Sequence, residues 1–429
     1  MNTKYQTAAL KNGLKVAAIQ MNGLETVSIF LAFGIGSCNE TKREQGLTHF
    51  IEHMLFKGTG RRPALTQLCH EIDRLGGEIE AFTTKEITCF SVQIVKNHWQ
   101  LGLDILADMT NNSLFPAPEI KKERNVIIEE INKIADSPRE KIAEIFENLL
   151  YGDQGLGQTV LGPKKNILAF SRPNHLAYFH KNFLAGNAVL VAAGDFRDND
   201  PLKKISGYFE NFRSGKIPPT KLLIKNRLGQ RLLIKSQKTD QAYCALGVRA
   251  FPLSDARHYA AKLMAIILGG HMSSRLFKKI REEKGLVYNI GTFSENFTGT
   301  GYLVTYTSAI LNKMPEIVEN ILEEYKLLAK YKLGQKELED AKNYLIGKKK
   351  MVLESSSGSA FDLARRIILK KIAATPEDYF KKLKNVTADQ IKAVAQRLFQ
   401  NNRFNLVVIG SFSGKQKEKY RKILSKKLI

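Results

Sequence analysis

At 429 residues the chain is too long for one small binding module, and ~100 to 200 residues per domain implies two or three domains. With 43% hydrophobic residues, 25% charged residues and 12 prolines, the composition excludes a disordered or fibrous protein. The 66 Lys and Arg outnumber 42 Asp and Glu, giving +24, but they are spread along the chain without zinc-finger spacing, an RNP-like aromatic motif or a phosphate-binding loop, which argues against nucleic acid as the partner.

Strand-like YQTAAL and LKVAAIQ flank Asn12-Gly13, a hairpin turn signal, and TVSIFLAFGIG follows as a third strand. Helices come next, then the hairpin EIEAFTTKEITCFSVQIV, further amphipathic helices and a closing strand, NAVLVAAGDF. The second half repeats this order: LLIK, RLLIKS and QAYCALGVRAF, helices, the hairpin LVYNIGTFSENFTGTGYLVTYTSA, more helices, and the closing strand FNLVVIGSF. Such a repeat predicts an α+β protein of two homologous α/β-sandwich domains, each a mostly antiparallel sheet packed with helices, produced by duplication. The Gly and Pro pair in RSGKIPPT break regular structure, so we place the domains at 1–212 and 225–429 with a linker at 213–224.

The four cysteines, Cys38, Cys69, Cys89 and Cys244, form no CxxC motif and are too few for a disulfide framework. A reducing compartment fits them. The N-terminus carries no apolar run of signal-peptide length, and no stretch of ~18 apolar residues occurs. A cytoplasmic protein without a membrane span is the expectation.

The segment GLTHFIEHMLFKGTG contains the residues most informative about chemistry. On a helix, positions i, i+3 and i+4 share a face, so His49, Glu52 and His53 converge. Two neutral imidazoles at that spacing can hold one Zn²⁺, with the carboxylate beside the open coordination position to take a proton from water. This is the H-x-x-E-H order. A third donor is sought in PEIKKERNVIIEEINKIAD, where Ile120, Val126, Ile127, Ile131 and Ile134 mark the apolar face. Taking Ile127 as zero, Glu130 lies at about 60° and Glu123 at about 40° on the same side, while Glu129 points away. A carboxylate on a buried face needs a partner, either a divalent cation or a basic side chain at the edge of the stripe.

GLTHFIEHMLFKGT, followed by the Glu130 of ERNVIIEEI, resembles the pitrilysin family of inverted-motif zinc metallopeptidases, which includes insulysin and the mitochondrial processing peptidase. GGEIEAFTTKEIT, LGQTVLG, NAVLVAAGDF and GGHMSSRLFKKIREEKGLVY extend the resemblance over essentially the whole chain. It implies a zinc metalloendopeptidase that acts on peptides or unfolded precursor segments, with one Zn²⁺ per chain on His49, His53 and Glu130. Glu52 is then the general base, with Glu123 supporting from behind. It further implies that Arg281 holds substrate carbonyls and that Tyr288 steadies the oxyanion; without the family context, a surface arginine and a core tyrosine are the simpler reading. Peptide would add to the strand at Glu80, Ala81 and Phe82, where Glu80 replaces the family's usual Asn and so adds acid. The family encloses its sites between subunits. This chain carries both halves, so a homodimer suffices, and a heterodimer with an inactive relative is the alternative. A non-catalytic scaffold subunit is the rival reading of the function.

Overall fold

The Asn12-Gly13 signal forms the turn of the first hairpin, because Gly13 takes a φ of 95° and the Asn12 side chain accepts from Leu14 N–H. In chain order the first elements are β1 (Tyr5–Ala9), β2 (Lys15–Gln20), β3 (Thr26–Phe33), α1 (Leu47–Leu55), α2 (Leu65–Asp73), β4 (Glu78–Thr83), β5 (Thr88–Val95) and α3 (Trp99–Asn112). There follow α4 (Ala117–Asp136), α5 (Pro138–Tyr151), α6 (Lys164–Ala169), α7 (Arg172–Asn182), β6 (Ala188–Gly194) and α8 (Pro201–Phe209). The second half supplies β7 (Arg231–Ser236), β8 (Ala242–Ala250), α9 (Arg257–Gly269), β9 (Ile290–Asn296), β10 (Gly301–Ala309), α10 (Met314–Lys330) and α11 (Gln335–Leu353). It ends with α12 (Ser356–Lys370), α13 (Pro376–Lys384), α14 (Ala388–Leu398), β11 (Asn405–Gly410) and α15 (Gln416–Ser425).

This computed structural model describes residues 5–196, 200–215, 231–370, 375–412 and 416–425. LLIK and residues 216–224 of the expected linker lie outside them. Among the described residues no helix is long and apolar enough to cross a membrane, and the four cysteines are unpaired.

The strands form two sheets, ordered β1-β2-β6-β3-β5-β4 and β7-β11-β8-β10-β9. In each, the closing strand pairs in parallel with an early one (β6 with β2, β11 with β7) and the other pairs are antiparallel. Apart from β1, which has no counterpart among the described residues, the two sheets share one topology, as the internal repeat requires. β4 and β9 occupy corresponding edges.

The chain forms two units whose described residues come from 1–132, 158–222 and 350–373, and from 133–157, 223–349 and 374–429. Each unit thus takes one helix from the other half of the sequence. β3 and β6 are near-continuous apolar runs, buried on both faces, so their sheet needs cover on both sides. Helix α1 and its neighbours cover one face. The other, with Phe30, Ala32, Val189 and Val191, is covered by Ala360, Leu363, Ala364 and Ile367 of α12. Full burial of each larger side chain there contributes about 1.5 to 3 kcal/mol. In the second unit α5 does the same work, with Phe146 against Tyr302 and Tyr306, and Tyr151 under Arg249.

Candidate metal centre

Helix α1 begins at Gly46, whose φ of 94° favours glycine and where a Cβ would come within 2.5 Å of the Leu161 carbonyl oxygen. Gly162 of LGQTVLG packs against the same turn, and a Cβ there would lie 2.3 Å from the Gln45 oxygen. Gly46 has no side chain with which to cap the helix. Glu40 serves instead: its carboxylate accepts from Gly46 N–H at 2.9 Å and from Thr48 N–H at 2.7 Å, satisfying donors that a helix start otherwise leaves open.

With that start fixed, the helical spacing places His49 and His53 side by side, their Nε2 atoms 3.3 Å apart. Glu130 of α4 brings Oε2 to 3.7 Å from His49 Nε2 and 3.9 Å from His53 Nε2. Among the described residues this is the one group of three such donors close enough to hold a metal ion, all within 4.8 Å of one another. Glu129 is exposed, as the periodicity required. Val126 departs from expectation. Assigned to the apolar face, it is 51% exposed, because it stands ~100° from Ile127 and outside the stripe that Ile120, Glu123 and Ile127 bury.

Glu123 lies behind His53, its Oε1 2.8 Å from Nδ1, and its Oε2 pairs with Lys57 Nζ at 2.6 Å. Burial pushes the Glu123 carboxyl up, but the contacts with His53 and Lys57 outweigh it and hold the group below the ordinary value. An ionised carboxylate accepts only, so His53 Nδ1 donates, and in the neutral ring that tautomer turns the Nε2 lone pair toward His49 and Glu130. Burial pushes His49 down to about 3, which keeps its ring neutral. His49 Nδ1 is buried with no partner among the described residues, so packing orients that ring.

These donors fit zinc. Two neutral imidazoles and one carboxylate are a usual catalytic set, and bonds of ~2.0 to 2.1 Å in a tetrahedron separate the donors by roughly 3.3 to 3.4 Å, close to the spacing here. The hydrogen bond from His53 to Glu123 is the outer support that such ligands carry. Glu52 is 8% exposed on the same helix, and burial raises its carboxyl above the ordinary value, opposed chiefly by the hydroxyl of Thr83.

The remaining predicted residues divide between the units. β4 is an edge strand, with Ile79 and Ala81 packed toward the α1 side and Phe82 against Phe361 of α12. Alternation puts Glu80 on the Phe82 side, so its carboxylate and Glu52 are on opposite faces of the sheet. In the second unit the Arg281 guanidinium lies 5.2 Å from the centre of the Tyr288 ring and 4.7 Å from that of Phe277. Tyr288 is 83% exposed and is no core tyrosine.

Residues 15–164 match the family description Insulinase (Peptidase family M16), and residues 169–345 match Peptidase M16 inactive domain. An uncharacterized zinc protease of Rickettsia felis is 31% identical over 402 residues, covering 94% of this chain and 96% of that protein. The chain belongs to the M16 family. The uncharacterized zinc protease YmxG of Bacillus subtilis is 30% identical over 390 residues, 91% of this M16 chain and 94% of YmxG. A protease from Helicobacter pylori shares the M16 fold at a TM-score of 0.90 and 20% identity, over 95% of this chain and 99% of that one. The relatives' names support a protease that uses zinc.

Glu40 escaped the sequence reading, although a helix opening on glycine needs a cap from elsewhere. Burial pushes its carboxyl up to about 8, opposed by the two N–H donors. A group raised in the folded state is fully compatible with folding below its ordinary value of 4.5, and its contribution to stability is lost as pH rises through about 8. In urea unfolding of chelator-treated protein, the wild type should lose up to ~4 kcal/mol relative to Glu40→Gln between pH 5 and pH 8.5. Parallel pH profiles for the two proteins would contradict this.

Proposed function

We propose that this chain is a zinc metalloendopeptidase that binds one Zn²⁺ per chain through His49, His53 and Glu130. The observation that carries the reading is the convergence of these three donors beside Glu52, a buried carboxylate one helical turn from His49 and next in sequence to His53. Zinc held there supplies Lewis-acid polarisation and lowers the pKa of water. The Glu52 carboxylate takes a proton from the attacking water and later passes it to the leaving amine nitrogen, the hydrolysis consuming one water per peptide bond. Burial raises the proton affinity of Glu52, which suits that task.

The open edge of β4 suits an extended peptide, whose backbone would continue the sheet at Glu80, Ala81 and Phe82. Arg281 offers a planar fork of donors to substrate carbonyls, and the exposed Tyr288 hydroxyl offers one to an oxyanion. The test is incubation of purified protein with a mixed peptide library, with chelator, without it, and with zinc restored. Internal cuts abolished by chelator and recovered with zinc are the expected result. Zinc-loaded protein without any cut favours the scaffold reading.

We further propose a homodimer in which one chain's zinc half works with its partner's Arg281 and Tyr288. Mixing Glu52→Gln protein with Arg281→Ala protein should then restore about a quarter of wild-type hydrolysis, since half the dimers are mixed and each has one intact site. No recovery despite demonstrated subunit exchange would assign the site to a single chain.

A further inference from the structure

We propose that Thr83 is a positioning residue for the general base: its hydroxyl fixes Glu52 to the edge strand that receives the peptide and leaves Oε1 as the proton-accepting atom. The proposal rests on the peptidase reading above.

Thr83 ends β4, and alternation puts it with Ile79 and Ala81 on the α1 side of the sheet. There Thr83 Oγ1 lies 2.5 Å from Glu52 Oε2. Among the described residues this is the one hydrogen bond that Glu52 accepts, and no lysine or arginine forms an ion pair with it. The direction of the bond is decided by its surroundings. The other acceptor near Thr83, Thr88 Oγ1, is 3.5 Å away, and the Thr88 proton is already given to the Ile35 carbonyl at 2.9 Å. The single proton of Thr83 therefore goes to Glu52.

The strand anchors this donor. Thr83 is paired with Thr88 across the β4-β5 ladder, and a β-branched side chain has restricted χ1 freedom. A peptide added to the open edge of β4 takes its register from the same backbone. Thr83 thus links two positions that hydrolysis must bring together, the base on α1 and the peptide bond held on β4. A buried carboxylate without this donor keeps its desolvation cost and has no fixed orientation.

Thr83→Val keeps the shape and strand preference without the hydroxyl, and Thr83→Ser restores the hydroxyl alone. Zinc content should match wild type in both, while the thermal midpoint should fall by a few degrees in Thr83→Val, which leaves the buried carboxylate without its donor, and return close to wild type in Thr83→Ser. In Thr83→Val, kcat should fall about 10- to 100-fold with KM within about twofold, and Thr83→Ser should recover most of the loss. Crystals of metal-free protein should show Glu52 turned from β4 in Thr83→Val and in place in Thr83→Ser. Unchanged kcat in Thr83→Val, loss without rescue by serine, or Glu52 unmoved in Thr83→Val each overturns the proposal. Wild-type protein that cleaves nothing overturns the peptidase reading instead, and the position of Glu52 in the crystals then decides the role of Thr83 by itself.

Discussion

Glu52→Gln protein should retain a full complement of zinc and lose peptidase activity by about 10²- to 10⁴-fold. The amide has nearly the volume of the carboxylate and can still accept the Thr83 hydrogen bond through its carbonyl oxygen, so α1 and the two histidines should keep their places. What it lacks is basicity. A primary amide does not take a proton from water near neutral pH, and no other carboxylate on α1 stands in for it. The loss should fall on kcat and on kcat/KM alike, the signature of an interaction made in the transition state, with KM little changed. Measurement needs zinc analysis by mass spectrometry beside initial rates on one cleaved peptide. Retained turnover at full zinc occupancy would remove Glu52 from the mechanism, and lost zinc would make the variant uninformative about basicity, which is why both are measured on one preparation.

The second large effect separates two neighbouring acids. Glu130→Gln should weaken zinc binding by more than about 100-fold, the upper end of what losing an outer support costs, because a ligand itself is removed. Glu129→Gln should bind zinc as wild type does, since Glu129 is exposed while the Glu130 carboxylate stands within 4 Å of both Nε2 atoms. Competition with a coloured chelator reads the affinity. Thermal unfolding gives an independent check, as zinc at 100 times its Kd should stabilise wild type and Glu129→Gln by about 2.7 kcal/mol and leave Glu130→Gln nearly unmoved. The opposite ranking of the two variants would contradict both the helical periodicity and the geometry of the centre.

Local spacing alone was enough for several parts of this protein. His49, Glu52 and His53 share a face because a helix returns every 3.6 residues, so their convergence could be read without any long-range contact. The same period separated Glu123 and Glu130 from Glu129, and the repeated order of strands and helices anticipated two sheets of matching topology. The period failed at Val126, where a position ~100° from the centre of the stripe was counted as part of it and is exposed.

Other features were decided only when distant segments met. Nothing in the spacing of Glu40 shows that it caps a helix opening at Gly46, since a loop of several residues can direct a carboxylate anywhere and burial alone brings it to those two N–H groups. Thr83 is 31 residues from Glu52, and alternation could name the side of the sheet it faces but not the carboxylate waiting there. The near-continuous apolar runs of β3 and β6 announced a sheet covered on both faces. They could not announce that the cover on one face comes from residues 356–370, because a hydrophobic face specifies burial and is indifferent to where in the chain the partner originates. Periodicity is a property of neighbours in sequence, whereas caps, hydrogen-bond partners and the exchanged helices are properties of neighbours in space.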